Sequence, residues 1–204
     1  NQGRSNVSVT NQTPVSTNFR GTAGQYLALA ASTTSSTISN GVSITVLGPD
    51  GTTTASGSMY TTYGSAGYTG SAVINMGPLQ MAGTYTVVVQ GYSTGSGTVT
   101  LTLSTPLTAT LVADGSTSGA TISTAGQGVL YSVNAIAGQS LAFSLVESVN
   151  NLGRINAAAI SVLRPDGSQL VSGTLSTTFV TCPASTGSTS CLGTSGYYGS
   201  SVIN

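Results

Sequence analysis

The stretch Ile44-Thr-Val-Leu-Gly-Pro-Asp-Gly51 returns 116 residues later as Ile160-Ser-Val-Leu-Arg-Pro-Asp-Gly167, with six of the eight positions identical. Each copy alternates apolar and polar residues and then enters a tight turn. In the turn, Pro presets φ, Asp can bond the backbone ahead of it, and Gly accepts the left-handed conformation. The alternation places Val42, Ile44 and Val46 on one face and Ala158, Ile160 and Val162 on the matching face of the second copy. Short strands ending at Ser56-Gly57 and Ser172-Gly173 complete a hairpin in each. A strand–turn–strand unit written twice predicts an all-β chain containing one domain in two copies.

Matched stretches fall into line on either side. Asn6 to Gln25 aligns without gaps to Ala120 to Gln139, an offset of 114 residues. It sets Val15, Thr17 and Phe19 against Val129, Tyr131 and Val133, and closes both copies on Ala-Gly-Gln, at 23–25 and 137–139. Between Val7 or Val9 and Ile122 the alternation slips by one, so no register is assigned there. Leu27, Leu29 and Ala31 correspond to Leu141, Phe143 and Leu145. Further on, Gly67 to Asn75 matches Gly196 to Asn204 at seven of nine positions. Ten residues lead from Gly57 to Gly67 but 23 from Gly173 to Gly196, so the second copy carries a 13-residue insertion holding both cysteines.

The first copy continues. Tyr85, Val87 and Val89 form the inward face of one strand, and Val99, Leu101 and Leu103 that of another, with Thr98, Thr100 and Thr102 turned outward. The second copy reaches Asn204 without an equivalent of Met76 to Leu103. Burying those six inward residues is worth roughly 1.5–3 kcal/mol each as an upper figure. Their sum rivals the ~5–15 kcal/mol net stability of a whole domain. The expectation is therefore two tandem jelly-roll-like antiparallel β-sandwiches, the second incomplete at its C-terminal end. Residues 1–105 form the first and 106–204 the second, which opens with an extra strand from Leu107 to Ala113. Val202, Ile203 and Asn204 mark the open-sheet end. It is to be completed by a continuing chain or by a strand from a neighbouring molecule.

Composition narrows the function classes. Charged residues make up 4% of the chain, four basic and four acidic, for a net charge of zero. Such a surface lacks the electrostatic footprint for nucleic acid or anionic lipid, and lacks the self-repulsion that keeps copies apart. No apolar run approaches the ~20 residues of a membrane helix. Histidine is absent, and the scattered carboxylates offer no visible acid–base pair or base to activate a serine. No catalytic residue, metal site or cofactor is expected. Calcium wants six to eight oxygens, so Asp50 and Asp166 read as turn formers. Cys182 and Cys191 read as a short-range disulfide formed in an oxidising compartment, the alternative being two free thiols. Tyr60, Tyr63 and Tyr68 in the first copy, and Tyr197 and Tyr198 in the second, are candidate interface anchors or a glycan-stacking platform. Asn6-Val-Ser and Asn11-Gln-Thr match the glycosylation sequon.

The stretches 21–25 (Gly-Thr-Ala-Gly-Gln), 48–51 (Gly-Pro-Asp-Gly), 83–86 (Gly-Thr-Tyr-Thr) and Gly97 through Leu103 carry a resemblance. It is to the pre-peptidase C-terminal (PPC) type of repeat and to repeats of Rhs-type surface proteins. It covers nearly all of the first copy and about two thirds of the second, through 137–139 and 164–167. The resemblance implies a sandwich of about eight strands, a bacterial extracytoplasmic setting and a non-catalytic role. The expected role is a self-assembling structural segment of a secreted fibre, filament or cell-surface stalk, associating head to tail as a homo-oligomer. The alternatives are a carbohydrate-binding accessory module of a secreted enzyme and a spacer in a large surface protein.

Overall fold

The computed structural model describes residues 3–124, 126–147, 157–165, 167–176, 178–180 and 196–203. Every regular element among them is a β-strand, so the all-β class holds. No helix among these residues is long and apolar enough to cross a membrane. Two compact units form, Asn1–Leu111 with Ser116–Val133, and Val112–Gly115 with Asn134–Asn204.

The first unit contains β1 (Gly3–Thr10), β2 (Val15–Gly21), β3 (Leu27–Ser36), β4 (Val42–Leu47), β5 (Thr53–Met59), β6 (Thr61–Gly64), β7 (Gly67–Met76), β8 (Gly83–Gly91) and β9 (Ser96–Ser104). One sheet runs β1-β9-β3-β7-β6 and the other β2-β8-β4-β5. All these neighbours are antiparallel. The chain changes sheet at every connection except the β4–β5 and β6–β7 hairpins. That is a jelly roll of eight strands, with β6 as an added edge. β8 lies between β2 and β4, and β9 between β1 and β3. The last two strands are therefore central to both sheets.

The core follows the period-two reading. Val42, Ile44 and Val46 are fully buried, and Tyr85, Val87, Val89, Val99 and Leu101 are buried with them. Tyr85 stacks on its cross-strand partner Phe19, with ring centroids 5.3 Å apart. Its hydroxyl donates to the Met81 carbonyl at 2.7 Å, so the ring is buried without an orphaned polar group. On β3, Leu27, Leu29 and Ala31 are buried as the alternation predicts, but the intervening Ala28 and Ala30 are buried too. At Ala30 the cover comes from Gly126, where an added Cβ would stand 2.5 Å from the alanine methyl.

Gly126 leads into β11 (Val129–Val133), which pairs with β10 (Leu107–Leu111). These strands belong by repeat to the second copy, yet they cluster with the first unit. Their pairing is parallel, with Val129 opposite Leu107. β2, the counterpart of β11, pairs antiparallel with β8. No strand of the β8 kind stands beside β11 among the described residues, and β10 takes that role. Residues 119–123 form no strand, which accounts for the slipped alternation around Ile122.

The second unit holds β12 (Phe143–Glu147), β13 (Ala157–Leu163), β14 (Gln169–Ser176), β15 (Thr178–Val180) and β16 (Gly196–Ile203). β13 pairs with β14, and β16 lies between β12 and β15. The registers repeat those of the first unit residue for residue. Leu29 faces Ile74, and Phe143 faces Ile203. Ile44 faces Gly57, and Ile160 faces Gly173, with a register shift after Val46 in one hairpin and after Val162 in the other. β14 lies against β16 as β5 lies against β7. The turns match as well. Gly51 N donates to Gly48 O at 3.0 Å and Gly167 N to Arg164 O at 2.9 Å. The insertion falls between Val180 and Gly196, which are paired. In the first unit the same hairpin tip is Ser65-Ala66.

Candidate functional site

The first sandwich has two ends of different character. At one, the β2–β3, β4–β5 and β7–β8 connections carry the repeat landmarks. Gln25 turns its side chain back so that Oε1 accepts from Thr22 N at 3.1 Å and from the Thr22 hydroxyl at 3.2 Å. Gln139 does the same to Ile136 N at 3.0 Å. The glutamine of the Ala-Gly-Gln turn is thus a cap. Asp50 Oδ1 accepts from Thr52 N at 3.0 Å and from Thr52 Oγ1 at 2.8 Å. These bonds hold its carboxyl below the usual carboxylate range. Asp50 is committed to its turn. Among the described residues no three His, Cys, Asp or Glu side chains gather where they could hold a metal.

At the other end the β1–β2, β3–β4, β5–β6 and β8–β9 turns are knitted together. Asn11 N donates to Gly95 O, Thr37 N to Ser96 O, and Tyr92 N to Gly41 O. Gln12 Nε2 donates to Tyr92 O and Gln90 Nε2 to Gln12 O, while Thr61 Oγ1 donates to Ile38 O at 2.8 Å. The Asn40-Gly41 pair has φ values of 65° and 89°, the signature of a two-residue reversal. A Cβ on Gly41 would collide with the Met59 carbonyl, so this turn can press against the β5–β6 junction only with glycine there. The result is a shallow cavity of about 560 Å³ lined by Asn40, Tyr60, Thr61 and Tyr92.

The tyrosines singled out by sequence divide. Tyr60 stacks with Tyr92, with centroids 6.3 Å apart and planes 22° from parallel. Tyr63 and Tyr68 face each other across the β6–β7 hairpin, 5.1 Å apart in an edge-on pair. Tyr60 and Tyr63 are each 73% exposed. Tyr197 lies opposite Phe179 and Tyr198 opposite Thr178 in the β15–β16 ribbon. Since Tyr197 aligns with Tyr68, Phe179 takes the station of Tyr63. Sequence reading passed over Tyr92 and Phe179. Tyr92 follows Gly91 in a turn, and an aromatic there has no core position to fill. Phe179 was hidden because the insertion could not be placed within its loop. Val202 and Ile203 are paired with Ser144 and Phe143. The edges of β12 and β13 corresponding to those that β9 and β8 fill in the first unit carry no strand among the described residues. Cys182, Cys191, Asp166 and Asn204 lie outside the described residues.

No family model matches the chain, and a search of curated proteins returns no match. The reading of function therefore rests on the geometry and on the resemblance carried by the turns.

Proposed function

We propose that the chain is a non-catalytic structural segment of a bacterial extracellular fibre or cell-surface stalk, in which one unit joins the next by strand complementation. The observation that carries this reading is the pair of unfilled edges. β12 and β13 repeat the registers of β3 and β4. Among the described residues, neither has the second neighbour that β9 or β8 supplies in the first unit. An unpaired edge presents a row of N–H and C=O groups that templates a further strand. The strand pair that fits is of the β8–β9 kind, antiparallel and apolar on alternate residues.

Two features support the setting. The chain has no net charge, so little repulsion opposes close association. The turn motifs resemble those of secreted bacterial repeats, and a disulfide between Cys182 and Cys191, expected from the sequence, fits an oxidising compartment. A strand pair of this kind can come from a continuation of the chain or from a neighbouring copy, and the proposal takes the second. The test is residue-level amide exchange at rising protein concentration, with mass followed by sedimentation. As the mass rises, alternate amides of β12 and β13 gain protection while those of β3 and β4 stay unchanged. A chain that remains a monodisperse monomer with one cooperative melt at every concentration sinks the proposal.

A further inference from the structure

We infer that the Tyr60–Tyr92 cavity is a binding site for an uncharged saccharide, separate from the edges used in assembly. Four observations meet there. The first is aromatic surface. Tyr60 is 73% exposed and Tyr92 42% exposed, though a tyrosine serving only as packing would be covered. Ring faces carry the negative lobe of the aromatic quadrupole, and the C–H groups on one face of a sugar ring are weakly positive, so the two stack.

The second is preorganisation. Tyr92 is held at three points: its N–H donates to Gly41 O, its carbonyl accepts from Gln12, and its hydroxyl bonds Ser58 Oγ at 2.6 Å. A ring fixed before the ligand arrives loses little freedom on binding. The third is a set of neutral polar groups beside the rings. The Asn40 amide is exposed and offers two donors and an acceptor, and the Thr61 oxygen keeps acceptor capacity while donating to Ile38.

The fourth is charge. The four turns at this end, residues 11–14, 37–41, 60 and 92–95, contain no ionisable group besides the two tyrosines. The charged residues of the first sandwich lie elsewhere. Arg20 pairs beside Thr84, Asp50 sits in the β4–β5 turn, and Arg4 lies opposite Thr102. A phosphate, sulfate or uronate would find no counter-ion here, whereas hydroxyls would find partners. The cavity volume of about 560 Å³ lies within the ~300–1,000 Å³ of small-molecule sites. The second copy departs from this site at one wall, where Ser176 aligns with Tyr60.

The test is saturation-transfer NMR read on the sugar's own signals, using the full chain and maltotriose, cellotriose, chitotriose and mannotriose as probes. It works on single chains and on assemblies alike, so failure of the assembly reading does not affect it. At least one probe is expected to show saturable transfer in the millimolar range. Tyr60→Ala should weaken it about tenfold, the change that ~1.4 kcal/mol of lost contact produces, and Tyr63→Ala should leave it unchanged. No transfer from any of the four probes, or equal transfer in Tyr60→Ala, overturns the proposal. So does a loss in Tyr63→Ala that Tyr60→Ala does not show.

Discussion

β4 has a strand on each side, whereas β13, its counterpart, has one among the described residues. The hairpins are otherwise alike, down to the register shift and the turn hydrogen bonds. The difference shows which parts of a jelly roll form from nearby sequence and which need distant strands. The β4–β5 and β13–β14 hairpins close over a few residues, so they cost little loop entropy. β8 and β9 enter from far along the chain and fill the middle of each sheet. Among the described residues of the second copy no strand stands in those places, the sheets there are ribbons of two or three strands, and β11 pairs in parallel with β10. A strand's place within the sheet thus matters more than its length.

The sharpest way to break this comparison is to make the same cut in both copies. Ile44 is fully buried, and Ile44→Ala should cost about 2–5 kcal/mol through lost burial and a residual cavity. Ile160 is half-buried, and Ile160→Ala should cost below about 1 kcal/mol. Urea unfolding of the full chain followed by circular dichroism measures both. Equal costs would mean that the second copy closes its core as tightly as the first.

The hairpin tips give the next contrast. Ser65-Ala66 closes the first, and in sequence 15 residues separate the paired Val180 and Gly196 of the second. If Cys182 and Cys191 are joined, reduction opens a ten-residue loop and should cost roughly 2–3 kcal/mol by the chain-entropy argument. That loss should fall on the unfolding of the second unit alone. Alkylation and mass measurement without reductant checks the bond directly, and two freely alkylated thiols would remove it from the account.

Much of this contrast is legible in the sequence, for a physical reason. The Pro-Asp-Gly and Ala-Gly-Gln turns are local hydrogen-bonded devices, so their recurrence at fixed offsets carries the strand registers with it. Ile44, Val46, Tyr85 and Val99 are buried as period-two alternation requires. The pairing of β10 with β11 is not legible, because a parallel ribbon is chosen by which partners are present and no local motif encodes it. Nor is the Tyr60–Tyr92 cavity, since its walls come from turns at 40, 60 and 92 that only the closed sandwich brings together. A third Ala-Gly-Gln turn, at 125–127, was overlooked for a simpler reason. It aligns with Asn11-Gln12-Thr13 in the first copy, so no recurrence of the motif marks it, although Gln127 N donates to Thr124 O at 3.0 Å much as Gln25 N does to Thr22 O at 3.1 Å.

The smallest expected effect concerns the turn that both copies share. The Asp50 carboxylate is stabilised by the Thr52 backbone and hydroxyl donors, which lowers its folded pKa. In the unfolded chain it titrates as an ordinary Asp, at about 3.9. The folded pKa being the lower, the contribution is fully present above the unfolded value and is lost as pH falls through the folded one. Asp50→Asn keeps an acceptor for Thr52 N–H, so the turn survives at neutral pH. It removes the titrating charge, so the fall of the melting temperature below about pH 4 becomes shallower. Thr52→Val deletes one of the two donors and should give an intermediate slope. Ser168 stands at the station of Thr52 in the second copy and keeps a hydroxyl. An acid limb that Asp50→Asn leaves unchanged would show that this carboxylate contributes nothing to the turn beyond its shape.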